Sequence, residues 1–559
     1  MSNTLRLCIF TLVLAISSGS LWPFSLSFTQ AMAACLLEGQ TDEGPPISQG
    51  DVITVSEALT DEGPGGGPED EDEEPPSGNT PISGQTVICE GDIDNTGVFS
   101  TNPPDGDGTN GDNITVTIKG PDGGIEVSDD RPGIFLDNGA TITIEGPNRP
   151  VSTTADGTPA IRVLNDAKIT VLGVVSTAGA EATGIQAGST AKIVINEGEV
   201  STTGETSNAI TTGSAADIDL SGESKISTTG TGANAVTTGT GSAIDLVGTS
   251  QISTTGANAH TIVFNGATNS TLSIGTGTSV TTEGSNANAV QINRAENETN
   301  STGGTVNVSG TVGTAGEQST AIVGSAENLN VTVASGGVVS TQGSGANGIE
   351  IRSSGATITV SAGGEVKIEG NSAAAVSAGR SANVEVSGTV STAGENSQGV
   401  EIDDGSTLNV TDGGKITASA SSAQAVVIED TADSATVNVA AGGQINSSGQ
   451  AIASSGTTTT TTQIDGNVTG GGSAPTVALS SGEDTVTVNG TVTNTGSSSA
   501  ISTGTGNDTV TVNGSVTSTS SNSPVIDLGT GDDTLNDNSS QTISGSGTLV
   551  SAGDGSDTL

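Results

Sequence analysis

Asn208 to Gly256 reads NAITTGSAADIDLSGESKISTTGTGANAVTTGTGSAIDLVGTSQISTTG, one unit written nearly twice. Its aliphatic anchors fall at Ile210, Ile218 and Ile226 and again at Val236, Ile244 and Ile252, in steps of eight, eight and ten residues, so the period is 26. Each anchor stands in a short β-prone run (AIT, DIDL, KIST), and Gly213, Gly222 and Gly230 mark the joints. One repeat is therefore three short strands separated by turns.

Three strands with one or two inward aliphatics each bury too little apolar surface to offset the entropy of ordering them. Stacked repeats remove the difficulty. If each repeat makes one turn of a three-sided coil, every strand pairs with its equivalents above and below, and the anchors align as internal ladders. The expected fold is all-β, a right-handed parallel β-helix of about 24 to 28 residues per coil. From Gly133 to Thr558 the period predicts roughly 17 coils, which at about 4.8 Å each would make a rod near 80 Å long.

Composition alone would point elsewhere. Among 559 residues there are 82 Gly, the net charge is −49 and aromatics are 1%, which are properties of chains that fail to bury a core. Aliphatic residues held at fixed offsets over hundreds of positions decide against disorder. The same ruler returns downstream at Val400, Leu408, Ile416 and Val426. A Val/Ile-Ser/Thr pair also recurs once per repeat, at Val151-Ser152, Val175-Ser176, Val200-Ser201, Ile226-Ser227, Ile252-Ser253 and Val280-Thr281. Near Ala295 to Gly304 the repeat is longer, and an outward corner loop is expected there.

Three regions follow. Residues 1–33 have the charge (Arg6), apolar run (Leu7 to Ile16) and small-x-small site (Ala31-Met32-Ala33) of a secretory signal peptide. Residues 34–110 read as an N-terminal cap holding a disordered acidic, Pro/Gly-rich loop (Gly63 to Pro76), and 111–559 as the repeat region. No later segment is apolar enough to span a membrane. After signal removal, Cys35 and Cys89 remain, both ahead of the repeats, and form a candidate disulfide in an oxidising compartment.

The chemistry in the repeats is sparse. Near the C-terminus, Ser481-Gly482-Glu483-Asp484-Thr485, Gly504-Thr505-Gly506-Asn507-Asp508-Thr509, Gly529-Thr530-Gly531-Asp532-Asp533-Thr534 and Asp554-Gly555-Ser556-Asp557-Thr558 recur every 24 or 25 residues. They look like the calcium-binding nonapeptide, but occur once per coil, so a tight turn with Asp capping the backbone is the better account. No cofactor is expected, and Ca2+ at these Gly/Asp turns is the weaker alternative. The acidic balance and scarcity of aromatics disfavour nucleic acid. His260, the sole histidine, and the pairs Asp129-Asp130, Asp403-Asp404 and Asp532-Asp533 read as solvated corners. Rows such as Ser227-Thr228-Thr229 raise an ice-ordering surface as a minor reading.

The signal peptide, the early cysteines with the stretch TVICEGDIDNTGVFST (Thr86 to Thr101) and the Gly/Thr/Val/Asn repeats together resemble the passenger region of Gram-negative autotransporters. The resemblance implies a β-helical passenger displayed on or released from the outer surface, with a structural or adhesive role. It also implies an outer-membrane translocator barrel as partner and a ligand on a host or neighbouring cell. The alternative is a secreted β-helical enzyme acting on polysaccharides, which shares the scaffold. Because Asp554 to Leu559 opens a coil that the sequence does not finish, and nothing aromatic follows Phe264, the expectation is an incomplete passenger whose cap and barrel lie beyond Leu559.

Overall fold

The computed structural model describes residues 113–119, 124–146, 150–294, 303–429, 434–457, 459–539 and 543–559. It also describes the backbone of the strands Ala34–Leu37, Ile53–Val55, Thr86–Glu90, Ile93–Asp94 and Val98–Ser100. The signal peptide, the acidic loop and most of the long repeat at Ala295 to Gly304 lie outside the described residues. Met1–Met32 separates from Ala33–Leu559, and the fold that follows is that of the second unit.

The described chain is a three-sided parallel β-helix of about 16 turns, with one strand per turn in each of three sheets. In the organising stretch these are Asp217–Ser221 in the first sheet, Lys225–Thr228 in the second and Val236–Thr238 in the third. The next coil repeats them at Ala243–Leu246, Gln251–Thr254 and Ile262–Phe264. Pairing is parallel and in register: Ile218 lies beside Ile244, Ile226 beside Ile252, and Ile210 beside Val236. Downstream, Val400 lies beside Val426, Leu408 beside Val437 and Ile416 beside Ile445. Each of these side chains is at most 1% exposed.

Alternation produces this. In Asp217–Ser221 the aliphatics Ile218 and Leu220 are buried while Asp217, Asp219 and Ser221 are half-exposed, so every second residue joins the column and the rest stay in water. Burial of each aliphatic contributes about 1.5–3 kcal/mol, and each is sandwiched between the equivalent residues of two neighbouring coils.

The corners are built as specifically as the sheets. Where the chain leaves the second sheet, glycines stack from Gly179 to Gly394. A Cβ on Gly230 would collide with the carbonyl oxygen of Gly204, and one on Gly256 with that of Gly230. Glycine is required there because successive turns touch backbone to backbone. At six of these glycines the residue two before is a threonine that closes the corner from inside. Thr228 Oγ1 donates to the Ala233 carbonyl at 2.5 Å, Thr254 to Ala259 at 2.7 Å and Thr341 to Ala346 at 2.7 Å. The recurring Val/Ile-Ser-Thr signature thus has an anchor pointing in, a hydroxyl pointing out, and a buried threonine that ends the strand.

Candidate functional site

Polar side chains form files of their own, each rung capping a backbone group of the adjacent coil. At the corner leading into the third sheet, Asn208 Oδ1 accepts the Asn234 N–H (2.9 Å) and Asn234 Oδ1 accepts the His260 N–H (2.9 Å). His260 Nδ1 in turn accepts the Asn288 N–H at 2.9 Å, and Asn288 Oδ1 accepts the Thr320 N–H at 3.0 Å. The histidine therefore occupies an asparagine position. Its expected place as a solvated corner is corrected: the ring is half-buried because it must reach the next coil, and burial holds its pKa below the ordinary histidine value. An Nδ1 that accepts an N–H is unprotonated, so the ring is neutral with its proton on Nε2.

The carboxylate pairs divide. Asp129 is exposed and holds Arg131, whose Nε lies 2.9 Å from Asp129 Oδ2, and this bond lowers the Asp129 pKa. Asp403 Oδ1 accepts the Asp404 N–H at 2.8 Å, while Asp404 is 3% exposed with Arg380 Nη2 at 3.4 Å. Asp532 is exposed, and its Oδ1 accepts the Ser556 N–H at 2.9 Å. Asp533 is 1% exposed. Asp404 and Asp533 are thus buried and not solvated: Asp404 lies against Arg380 of the preceding coil, and Asp533 Oδ1 caps the Asp508 N–H.

Sequence reasoning passed over two half-buried glutamates on the outer face of the third sheet. Burial pushes the Glu350 pKa up, but bonds from Arg352, Asn347 (3.0 Å) and Thr320 (3.3 Å) outweigh it and hold the group low. Glu401 is raised by burial and by the facing charge of Glu429. The signal was an acidic residue at the middle of a short strand, where its outward neighbours are Val323, Ser377 and Val427.

The Gly/Asp turns of the last coils stack in register. Ser481, Thr505, Thr530 and Asp554 form successive parallel bridges, and Gly506 and Gly531 stand at φ 136° and 138°, which suits glycine. Inside these turns the aspartates form a file. Asp484 Oδ1 accepts the Thr460 N–H at 2.6 Å, Asp508 Oδ1 the Asp484 N–H at 2.8 Å, Asp533 Oδ1 the Asp508 N–H at 2.9 Å, and Asp557 Oδ1 the Asp533 N–H at 3.0 Å. Asp484, Asp508 and Asp533 are each 1% exposed.

Cys35 and Cys89 are register partners in an antiparallel pair of strands, Ala34–Leu37 against Thr86–Glu90. Their side chains lie outside the described residues. Among the described residues no helix is long and apolar enough to cross a membrane, and no group of three or more His, Cys, Asp or Glu is arranged to hold a metal ion.

No protein-family model matches this chain, and no curated protein matches it. A solved structure shares its architecture. A chain of the cryo-EM structure of the Vag8–C1 inhibitor complex matches with a TM-score of 0.51 at 16% identity, over 78% of this chain and 95% of that one. At that identity the likeness is one of fold.

Proposed function

We propose that this chain is the β-helical passenger of an exported protein, displayed on or released from the surface of a Gram-negative cell, with a structural or adhesive role and no catalytic one. The observation that carries the reading is the outward face of the coils. In the second sheet Ser176, Ser201, Ser227, Ser253 and Thr281 are successive register partners, and in the first sheet Thr485 and Thr487 pair with Thr509 and Thr511. These files repeat at the strand spacing of about 4.8 Å, which makes an extended, flat, hydroxyl-rich surface of the kind solenoids use for binding. A net charge of −49 keeps such a surface soluble outside the cell and repels polyanions.

Vag8, an autotransporter passenger, shares the fold, and its solved state is a complex with C1 inhibitor. The likeness in fold supports a β-helical passenger, and a protein partner on its faces and a translocator barrel that carries it outward belong to the proposal. The test uses the chain expressed from its own gene with its natural flanking sequence. Antibody raised against the coils should label intact cells, and Thr487→Arg with Thr511→Arg should reduce adhesion of those cells without reducing labelling. Unlabelled intact cells would refute surface display. Unchanged adhesion together with depolymerisation of a polysaccharide by the purified chain would favour the enzymatic alternative.

A further inference from the structure

The corner that leads into the first sheet changes chemistry along the column. Upstream its rungs are neutral. Ser242 Oγ accepts the Ala216 N–H at 3.2 Å, and Ser406 Oγ accepts the Ala382 N–H at 3.0 Å. From Ala435 the same file runs through Thr460 to Asp484, Asp508 and Asp533, so hydroxyls give way to carboxyls that make the same coil-to-coil contact.

A carboxyl has one oxygen more than the contact needs. Oδ1 of each rung is satisfied by a backbone N–H, whereas Oδ2 of Asp484, Asp508 and Asp533 is buried with no hydrogen-bond partner. The Thr503 hydroxyl, which lies beside Asp508 and lowers its pKa in part, reaches the Leu528 carbonyl at 2.8 Å. A buried charge lacking a partner is a costly state for a carboxyl. Here three would stack about 4.8 Å apart and repel one another through a poorly screening interior.

Contacts from Thr460 to Asp484 and from Thr503 to Asp508 offset part of this cost, but burial outweighs them. Asp557 forms the next rung, Glu483 and Asp532 sit on the adjoining turns, and Asp527 and Asp537 lie on the neighbouring third-sheet and first-sheet strands, all acidic. After Lys415 the sequence contains no lysine or arginine. A hard cation would need several oxygen ligands converging on one point, and among the described residues no group of three or more His, Cys, Asp or Glu is arranged to hold one. A proton needs no such group. It neutralises Oδ2 and leaves Oδ1 free to keep its backbone contact.

We propose that Asp484, Asp508 and Asp533 form a proton-binding column, so that the last coils close with protons taken up and loosen when the column ionises. Burial, the larger cause, and the neighbouring carboxylates push Asp484 up to about 7 and Asp508 up to about 6, and raise Asp533. These values stand above the unfolded aspartate value of about 3.9, so the folded state holds the extra protons. The stabilisation is complete below about pH 4 and is lost as pH rises through roughly 6 to 7.

Hydrogen exchange of the full chain, corrected for the intrinsic pH dependence of exchange, tests this directly. Peptides spanning Asp484 to Asp533 should gain protection on going from pH 8 to pH 5, by at least about tenfold, since each pKa unit is a factor of ten. Peptides spanning Ile142 to Ile195, where this corner carries Ala167 and Ala191 and which lie away from His260, should not change. Asp508→Asn keeps the accepting oxygen and removes the charge, so it should raise protection at pH 8 toward the acid value and flatten the profile; Asp484→Asn should do the same and serves if Asp508→Asn folds poorly. Equal pH responses in the two regions, or a variant profile as steep as the wild type, would overturn the proposal. Calcium chloride restoring full protection at pH 8 would overturn it too, by assigning the column to a metal.

Discussion

Ile244 stands in the middle of the first-sheet ladder, flanked by Ile218 in the coil before and Leu272 in the coil after, and is 1% exposed. Ile244→Ala removes three carbons from a site closed on both sides by fixed backbone. The transfer loss is about 2.4 kcal/mol at ~0.8 per methylene. A stacked coil has little freedom to collapse into the gap, so a cavity cost adds and the total should be about 3 kcal/mol, within the usual 2–5 for such truncations. Ile218→Asp places a charge in the same column and should cost more. Glu223, an exposed corner residue, gives the control, and Glu223→Ala should cost about 0.5 kcal/mol or less. The assay is hydrogen exchange through coils 210–282 combined with urea unfolding, because a long array need not unfold in one step. Protection should fall about a hundredfold around Ile244→Ala and stay unchanged around Glu223→Ala. Equal losses for the two variants would refute the register.

Other outcomes follow from the polar rungs. Thr228→Val removes the bond to the Ala233 carbonyl and leaves that acceptor buried, so thermal denaturation should show a loss of about 1–3 kcal/mol. His260 has a lowered pKa, so protonation favours the unfolded chain: stability is complete above about pH 6.5 and falls as the pH drops through the folded value. Hydrogen exchange of peptides around Asn234 to Asn288, corrected for intrinsic exchange, should show this local decline between pH 7.5 and 5 in the wild type and a flatter profile in His260→Asn, which restores the asparagine rung. Cys35 and Cys89, opposed in register, should give a mature chain about two mass units lighter without reductant than with it, and stoichiometric thiol labelling of the denatured, unreduced chain would exclude the bridge.

The sheets were legible because their information is carried by large aliphatics, whose positions repeat with the pitch of the coil. Ile210, Ile218 and Ile226 have no other reason to recur 26 residues later as Val236, Ile244 and Ile252. The corners were harder to read, since Asn, Asp, Ser, Thr and Gly are ordinary turn residues whether or not they contact the next coil. The period was nevertheless present in them. Asn208, Asn234, His260 and Asn288 are spaced by 26, 26 and 28, and Asp484, Asp508, Asp533 and Asp557 by 24, 25 and 24. Treating the histidine as an isolated residue, and Asp532-Asp533 as a solvated pair, overlooked that spacing. In a solenoid a short polar side chain at a repeated offset faces its own copy, and the backbone N–H beneath that copy, so burial follows from position more than from hydropathy.

The central claim is that the chain climbs one strand spacing per repeat. Spin labels at Ser227 paired in turn with Thr281, Ser340 and Ser391, in a Cys35→Ser, Cys89→Ser background, measure this by pulsed electron resonance. Those residues lie two, four and six coils from Ser227 on the outer file of the second sheet. The account predicts distances of about 10, 19 and 29 Å, rising in equal steps of about 4.8 Å per coil. Distances that fail to rise in equal steps, or that spread as broadly as those of an unfolded chain, would contradict it.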